Sequence, residues 1–440
     1  MYWRGMPEVE KDGAAHAESG RVDRPLRIGL FTDNYGPGRS GLMFAVQFLE
    51  GELLNAGHQV LLVAPASKGP NPHAGKPGRR EIRLPSTYLI GTSARFADGR
   101  QFEEHLEELS ADPPDLIHVH GFGAVGLLGV WDAKRAGVPL LVTWHTDFEA
   151  YADHYWHLAP FLDAFYRLIK LSTGNSSVSP SKLRHLTSWR SIQPPRTSRR
   201  NLLNGARQML EDADVVVTPS EKTERRVAEF APKCKVRTIP NGADKLPPEP
   251  GQPRARGRRL LYAGRIAPEK GIGLLLDAFR LVQEHLDDVE LMIVGDWRKS
   301  PVLRQRLKRA AARGGVTLVG EVERDQLGGY YESADVFVFP SLTDTQALVL
   351  HEAAHAGLPI VTVDSELDLV IDPDVNSRVT WANPVSLGNG ITAMLRDLDD
   401  PGFGERAAAR SRELASKWSI ANQSQTYMDL YAEMARAGRR

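Results

Sequence analysis

The chain has 440 residues, more than one hydrophobic core usually holds, so two domains are expected. Apolar residues make up 42% and charged residues 25%, and 55 basic side chains balance 55 acidic ones, which argues against a nucleic-acid binder. The single cysteine, Cys234, excludes an internal disulfide and a cysteine-built zinc cluster, and it fits a reducing compartment.

In chain order, residues 1–24 are polar, lack the apolar centre of a signal peptide and read as a flexible tail. Residues 25–245 form a first domain, in which Leu26–Phe31, Val60–Ala64, Leu116–His120, Leu140–Trp144 and Val215–Thr218 read as strands buried on both faces. The helix-period stretch Leu42–Asn55 stops at Gly57. Residues 246–258 are rich in Pro, Gly and Arg and suit a linker. Residues 259–415 repeat the rhythm, with strands Arg259–Ala263, Val289–Val294, Val316–Val319, Val336–Phe339 and Ile360–Val363. Helical segments Leu274–His285, Leu303–Ala312 and Ala347–Ala356 separate them, and a last helix in 416–440 is expected to return to the first domain. The class is α/β, two doubly wound Rossmann-like domains facing across a cleft. No 18 apolar residues run together, so no membrane span is expected and the chain reads as cytoplasmic.

An internal echo supports the pairing. Ala213-Asp214-Val215, ending at Pro219-Ser220, recurs as Ala334-Asp335-Val336, ending at Pro340-Ser341. Ligands of open α/β sheets gather at the carboxyl ends of strands, so two such domains would hold one between them.

The second domain carries the most specific chemistry. Strand Arg259–Ala263 runs into Gly264-Arg265-Ile266-Ala267-Pro268-Glu269-Lys270-Gly271 and then a helix. A helix start favours anions, and Arg265 and Lys270 beside it suit a diphosphate. Alone, such a pair is more often solvated surface charge. A second segment, Ser341-Leu342-Thr343-Asp344-Thr345-Gln346-Ala347-Leu348-Val349-Leu350-His351-Glu352, changes that weighting. Thr343 or Asp344 could cap its helix, leaving the N–H groups of Gln346, Ala347 and Leu348 for phosphate, and Glu352 could accept from sugar or ribose hydroxyls.

Together these segments resemble the retaining glycosyltransferases of the GT-B architecture, glycosyltransferase family four (glycosyl group 1), across about residues 26–430, and lipid glucosyl- and mannosyltransferases in particular. The resemblance implies that Arg265 and Lys270 hold a donor diphosphate, Asp344 faces the transferred sugar and Glu352 holds the ribose. Gly264, Gly295, Thr345, Gln346, Ala347 and Leu348 would complete the donor site. Asp344 stands where the family has Glu, Ala347 where Gly is usual, and Gly295-Asp296-Trp297-Arg298 where members often read Gly-Asp-Gly-Pro. The implied partners are a nucleoside-diphosphate sugar, UDP before GDP, and a glycolipid or small-molecule acceptor. The resembled architecture needs no metal or other cofactor.

In the first domain, Gly36-x-Gly38-x-x-Gly41 fits a dinucleotide fingerprint on paper. Its first Gly lies too far beyond the strand, and the second strand ends without a ribose-binding acid, so an NAD(P)-dependent oxidoreductase is a minor alternative. The segment instead resembles the family's first loop, with Ser40 and Gly41 facing the donor phosphates. In Val142-Thr143-Trp144-His145-Thr146-Asp147-Phe148, His145 resembles the family's cleft histidine, while Asp147, Tyr151 and His154 would line an acceptor path. His118 and His120 alternate on one strand as in some metal hydrolases, but the second half offers no further ligands. Asp212/Asp214 and Asp372/Asp374 read as caps and turns. Residues 182–207 hold seven Lys and Arg without an acid; they could contact an anionic membrane peripherally, although Pro194-Pro195 interrupts any helix there. A non-catalytic sugar-nucleotide binder on the same fold is the alternative from a different class.

Overall fold

Strands built from Val, Leu and Ile without polar alternation must be covered on both faces, and two parallel sheets provide that cover. The computed structural model describes residues 24–36, 41–66, 71–88, 95–97, 111–145, 195–248, 257–373 and 375–438, with 107 and 109. The first sheet contains β1 (Arg27–Phe31), β2 (Gln59–Pro65) and β3 (Arg79–Leu84). A small antiparallel pair follows, β4 (Ser86–Tyr88) and β5 (Arg95–Ala97). The first sheet then resumes with β6 (Leu116–Val119), β7 (Leu140–Thr143), β8 (Val215–Thr218) and β9 (Val236–Thr238). Its order is β3-β2-β1-β6-β7-β8-β9, parallel throughout.

The second sheet contains β10 (Arg258–Ala263), β11 (Val289–Val294), β12 (Val316–Gly320), β13 (Val336–Phe339), β14 (Ile360–Thr362) and β15 (Ser377–Val379). They pair in parallel in the order β12-β11-β10-β13-β14-β15. Both orders reverse direction beside their first strand. This is the doubly wound pattern, and the reversal opens a crevice at the carboxyl ends of β1/β6 and of β10/β13.

Side chains alternate between the two faces of each sheet as the pleat requires. Leu260, Tyr262, Val336 and Val338 enter one core layer, while Leu261, Ala263, Phe337 and Phe339 enter the other. In the first sheet, Ile28 and Leu30 pack beneath helix Gly41–Asn55 and helix Ile420–Ala437, and Phe31 and Val119 pack against helix Ala124–Ala136. The last helix therefore covers the first sheet, burying Tyr427, Leu430, Tyr431 and Met434 there.

The Ala-Asp-Val echo has a physical cause. Asp214 accepts from the Leu140 N–H at 2.8 Å, and Asp335 accepts from the Arg259 N–H at 2.8 Å. Asp115 does the same for Arg27 at 2.9 Å. Each aspartate closes the amino end of a neighbouring strand.

Strands β3, β9 and β15, absent from the sequence reading, lie at sheet edges, where one face meets solvent and the apolar signal thins. β3 reads ArgArgGluIleArgLeu, its charges held by Glu50–Arg79 and Glu81–Arg83 pairs. Part of the basic run is helical: Pro195, the second proline of the pair expected to interrupt a helix, opens helix Pro195–Glu211. A proline suits a first helical position because its missing N–H would have no partner there. Leu202, Ala206, Met209 and Leu210 bury one face of that helix, while Arg196 and Arg200 are exposed. The rest of the basic run, residues 182–194, lies outside the described residues. Among the described residues, no helix is long and apolar enough to cross a membrane.

Candidate active site

The segment after β10 turns back sharply. Pro268–Lys270 form one short 3-10 turn that ends at Gly271, with φ of +70°. A Cβ at Gly271 would sit 2.0 Å from the Pro340 carbonyl oxygen, so only glycine lets this turn press against the end of β13. That approach places Lys270 Nζ 2.6 Å from Asp344 Oδ1. The other carboxylate oxygen, Oδ2, accepts from Ser341 Oγ at 2.5 Å. Arg265 pairs with Glu269, and its carbonyl accepts from the buried Tyr262 hydroxyl at 2.9 Å. Gly295 belongs to the same packing, since a Cβ there would meet the Gly264 carbonyl oxygen at 2.1 Å.

The expected capping role of Thr343 or Asp344 is overturned. The helix runs Leu348–Ala356, its cap is Ala347, and no side chain caps it. Asp344 is drawn to Lys270 and Ser341 instead. Ala347 has φ of +61°, the one non-glycine residue at positive φ among the described residues. The resemblance noted Ala where glycine is usual, and this conformation is the physical reason glycine suits the position. Leu350 N–H bonds back to the Ala347 carbonyl at 2.9 Å, and the N–H groups before it have no acceptor within the helix, which leaves an anion-favouring end near Lys270.

Glu352 is the fifth residue of this helix, little more than one turn in, and is buried. Its oxygens are held by Arg324 and, at 2.9 Å, by the Tyr331 hydroxyl. Burial, then the Glu352 charge, raises the Tyr331 pKa well above the ordinary value, so the hydroxyl stays a donor.

The carboxyl ends of the first sheet meet this loop directly. The Thr345 carbonyl accepts from Ser220 Oγ at 2.5 Å and Thr223 Oγ1 at 3.1 Å, while Thr345 Oγ1 donates to the His145 carbonyl at 3.1 Å. Lys222 Nζ donates to the Leu342 carbonyl at 3.0 Å and forms a buried ion pair with Asp364 at 2.5 Å. The Gln346 side chain accepts from the Asn241 N–H at 2.6 Å and donates to the Asn241 carbonyl at 2.8 Å. Gln346, expected at the donor, thus commits its side chain to the first half, leaving its backbone for a ligand. Gly41 starts helix Gly41–Asn55 opposite Leu348, and a Cβ there would lie 3.7 Å from Leu348 Cδ1. Protein packing alone therefore does not demand glycine at this position.

His145 sits at the end of β7, with its Nε2 3.0 Å from His120 Nδ1. Burial lowers its pKa to about 4, so the ring is neutral. His118 lies between the Tyr431 hydroxyl and Thr143 Oγ1, each at 2.6 Å. Among the described residues His118, His120 and His145 do cluster, with both His118 nitrogens on hydroxyls and His120 Nδ1 on His145, while His120 Nε2 is buried without a partner. Among the described residues no three His, Cys, Asp or Glu side chains form a metal-holding group. Ser40, Asp147, Tyr151 and His154 lie outside the described residues. Asp214 accepts at the start of a neighbouring strand, and Asp372 closes a turn, its carbonyl accepting from the Val375 and Asn376 N–H groups and its own N–H donating to Asn376 Oδ1 at 2.7 Å.

The sequence reading missed Arg324, Tyr331, Ser341, Lys222, Ser220 and Asn241. A signal existed for two of these: Ser220 and Ser341 are the serines of the repeated Pro-Ser strand ends.

Comparison with known proteins agrees with this architecture. The family model of the glycosyl transferases group 1 matches residues 257–397, and that of the glycosyl transferase 4-like domain matches residues 44–242. An alpha-monoglucosyldiacylglycerol synthase of Streptococcus pneumoniae is 28% identical over 76% of this chain and 70% of its own. A GDP-mannose-dependent alpha-mannosyltransferase of Mycolicibacterium smegmatis is 24% identical over 77% of this chain and 80% of its own. In structure, the sucrose-phosphate synthase of Thermosynechococcus elongatus superposes with a TM-score of 0.68 at 20% identity, covering 94% of this chain and 100% of that one. Matched in both halves and sharing this two-sheet fold, the chain belongs to the group 1, family four glycosyltransferases and is a glycosyltransferase of the GT-B architecture.

Proposed function

We propose that the protein transfers a hexose-type sugar from a nucleoside-diphosphate sugar, UDP before GDP, to a hydroxyl of a glycolipid or natural-product acceptor, with retention of configuration. The observation that carries this reading is the Lys270–Asp344 contact at the second switch point, 2.6 Å long, beside a helix start that no side chain caps. Breaking the anomeric C–O bond leaves negative charge on the departing diphosphate. Arg265, Lys270 and the N–H groups from Thr345 to Leu348 would stabilise it, each preorganised donor contributing about 3 kcal/mol. Asp344 would face the sugar and Glu352 the ribose. In this reading cationic side chains and a helix end supply the charge stabilisation, and no metal is required.

The second half would hold the donor and the first half the acceptor. His145, neutral through burial, would lie beside the acceptor hydroxyl, and Asp147, Tyr151 and His154 along its path. A lipid acceptor is favoured by the synthase relative, and a cytoplasmic protein touching the inner membrane surface through residues 182–207 would fit it. The mannosyltransferase relative favours GDP-mannose as the second donor reading. Closure of the two halves would keep water from the donor. The test is a mass-spectrometric screen of UDP- and GDP-sugars against diacylglycerol, glycolipid and aminosugar acceptors, with the anomer assigned by NMR. Transfer from a UDP-hexose with the donor's anomeric configuration is expected; no transfer from any sugar nucleotide would overturn the reading.

A further inference from the structure

Arg324 occupies a position that neither the donor site nor the fold alone requires. It emerges from a short turn, Arg324–Gln326, fixed by a reciprocal Glu323–Gln326 capping box. One edge of its guanidinium meets Glu352, whose side chain is 2% exposed. Its face lies over two rings of the first half, 4.9 Å from the Phe44 centroid and 5.3 Å from the Phe48 centroid. Those rings are stacked on each other, one helical turn apart on helix Gly41–Asn55, with centroids 6.1 Å apart. A guanidinium can do both at once because it is planar, hydrogen-bonding in its plane and attracted to aromatic faces above it.

We propose that Arg324 is a positioning residue that makes donor affinity depend on Phe44 and Phe48 in the opposite half. Glu352 has about four lone-pair sites. Arg324 and Tyr331 take two of them and fix the plane of the carboxylate, so the remaining sites face a ligand in a set direction. The two rings limit where the guanidinium can lie. Separating the halves removes the rings, frees Arg324 and loosens the carboxylate that would receive the ribose. The carboxylate thereby senses whether helix Gly41–Asn55 is in place. This inference rests on the nucleoside-diphosphate reading of the site.

The test is a mutant cycle on the full chain, read by calorimetric titration with UDP and with GDP. Phe44→Leu with Phe48→Leu keeps apolar volume and removes the aromatic faces. It is expected to weaken nucleotide binding about three- to ten-fold when Arg324 is present, and less than about two-fold beside Arg324→Ala. Arg324→Gln, which can still donate to Glu352 but carries no cation, replaces Arg324→Ala if that variant fails to fold. Donor KM should follow the same pattern, with a smaller change in kcat. Equal losses with and without Arg324, no loss in the leucine variant, or tighter binding after Arg324→Ala would each overturn the inference. A wild-type chain that binds neither nucleotide would remove the donor reading and this inference together, whereas wild-type binding with additive losses removes this one alone.

Discussion

The two halves share a sheet order and differ in what they do with the helix start at the switch point. In the first half, Asp33 leaves β1 and its carboxylate accepts from the N–H groups of Gly123 at 2.8 Å, Val125 at 2.9 Å and Gly126 at 3.3 Å. The start of helix Ala124–Ala136 is therefore filled by the protein's own anion. Burial raises the Asp33 pKa, and these three N–H groups work against that rise. In the second half, Asp344, on the loop that leads from β13 into helix Leu348–Ala356, is held by Lys270 and Ser341, and that helix begins without a side-chain cap. One helix start is closed by a side chain and the other is left without a side-chain cap. A shared fold thus does not imply a shared use of its best anion site.

The largest effect should come from the open crevice. Lys270→Ala is expected to cut turnover about 100- to 1,000-fold, measured by steady-state transfer assays, with little change in thermal stability. Near-wild-type turnover would show that the second crevice is not the donor site. Asp33→Ala should do the opposite, costing about 2 kcal/mol of stability in a denaturant titration because it strands N–H donors, while UDP affinity holds. If stability held and nucleotide binding failed, the first crevice would be the ligand site and the contrast would invert.

Acid should separate the halves next. Burial lowers the pKa of His58, His118, His120 and His145 in the first half, against His351 in the second. A histidine held neutral in the fold binds its proton more readily when unfolded. Its stabilisation is therefore complete above an unfolded pKa of about 6.5 and is lost as pH falls below it. For His145 that loss extends down to about 4, and for His351 to about 3. Hydrogen exchange between about pH 7 and pH 4.5 should show β6 and β7 losing protection before β10 and β13. The smallest effect is at the uncapped helix: Ala347→Gly should relieve the left-handed backbone and gain about 1 kcal/mol in a thermal or denaturant melt.

Much of this contrast was legible in the sequence, though unevenly. Interior strands such as Val289–Val294 and Val336–Phe339 were found to the residue because burial on both faces leaves an unbroken apolar run. The edge strands β3, β9 and β15 were not, since Arg interrupts their short apolar runs, whereas the edge strand β12 was. The placement of Lys270 and Asp344 near a strand end and a helix start was legible, because those elements limit where the two residues can go. Their direct contact was not, since it depends on Gly271 meeting Pro340 across a large gap in sequence. Arg324, Lys222 and Asn241 left no local pattern because their partners lie in other segments.

The contacts around Leu342–Gln346 bear on how such enzymes can be recombined. Three residues of this five-residue stretch, Leu342, Thr345 and Gln346, are held by Ser220, Lys222, Thr223, Asn241 and the His145 backbone of the other half. A chimera cut between β9 and β10 would inherit a Leu342–Gln346 loop whose supports belong to another parent. Exchanging donor preference between relatives will work best when Ser220, Lys222, Thr223 and Asn241 travel with the loop. The hereditary unit is the loop together with its supports, and it straddles the domain boundary.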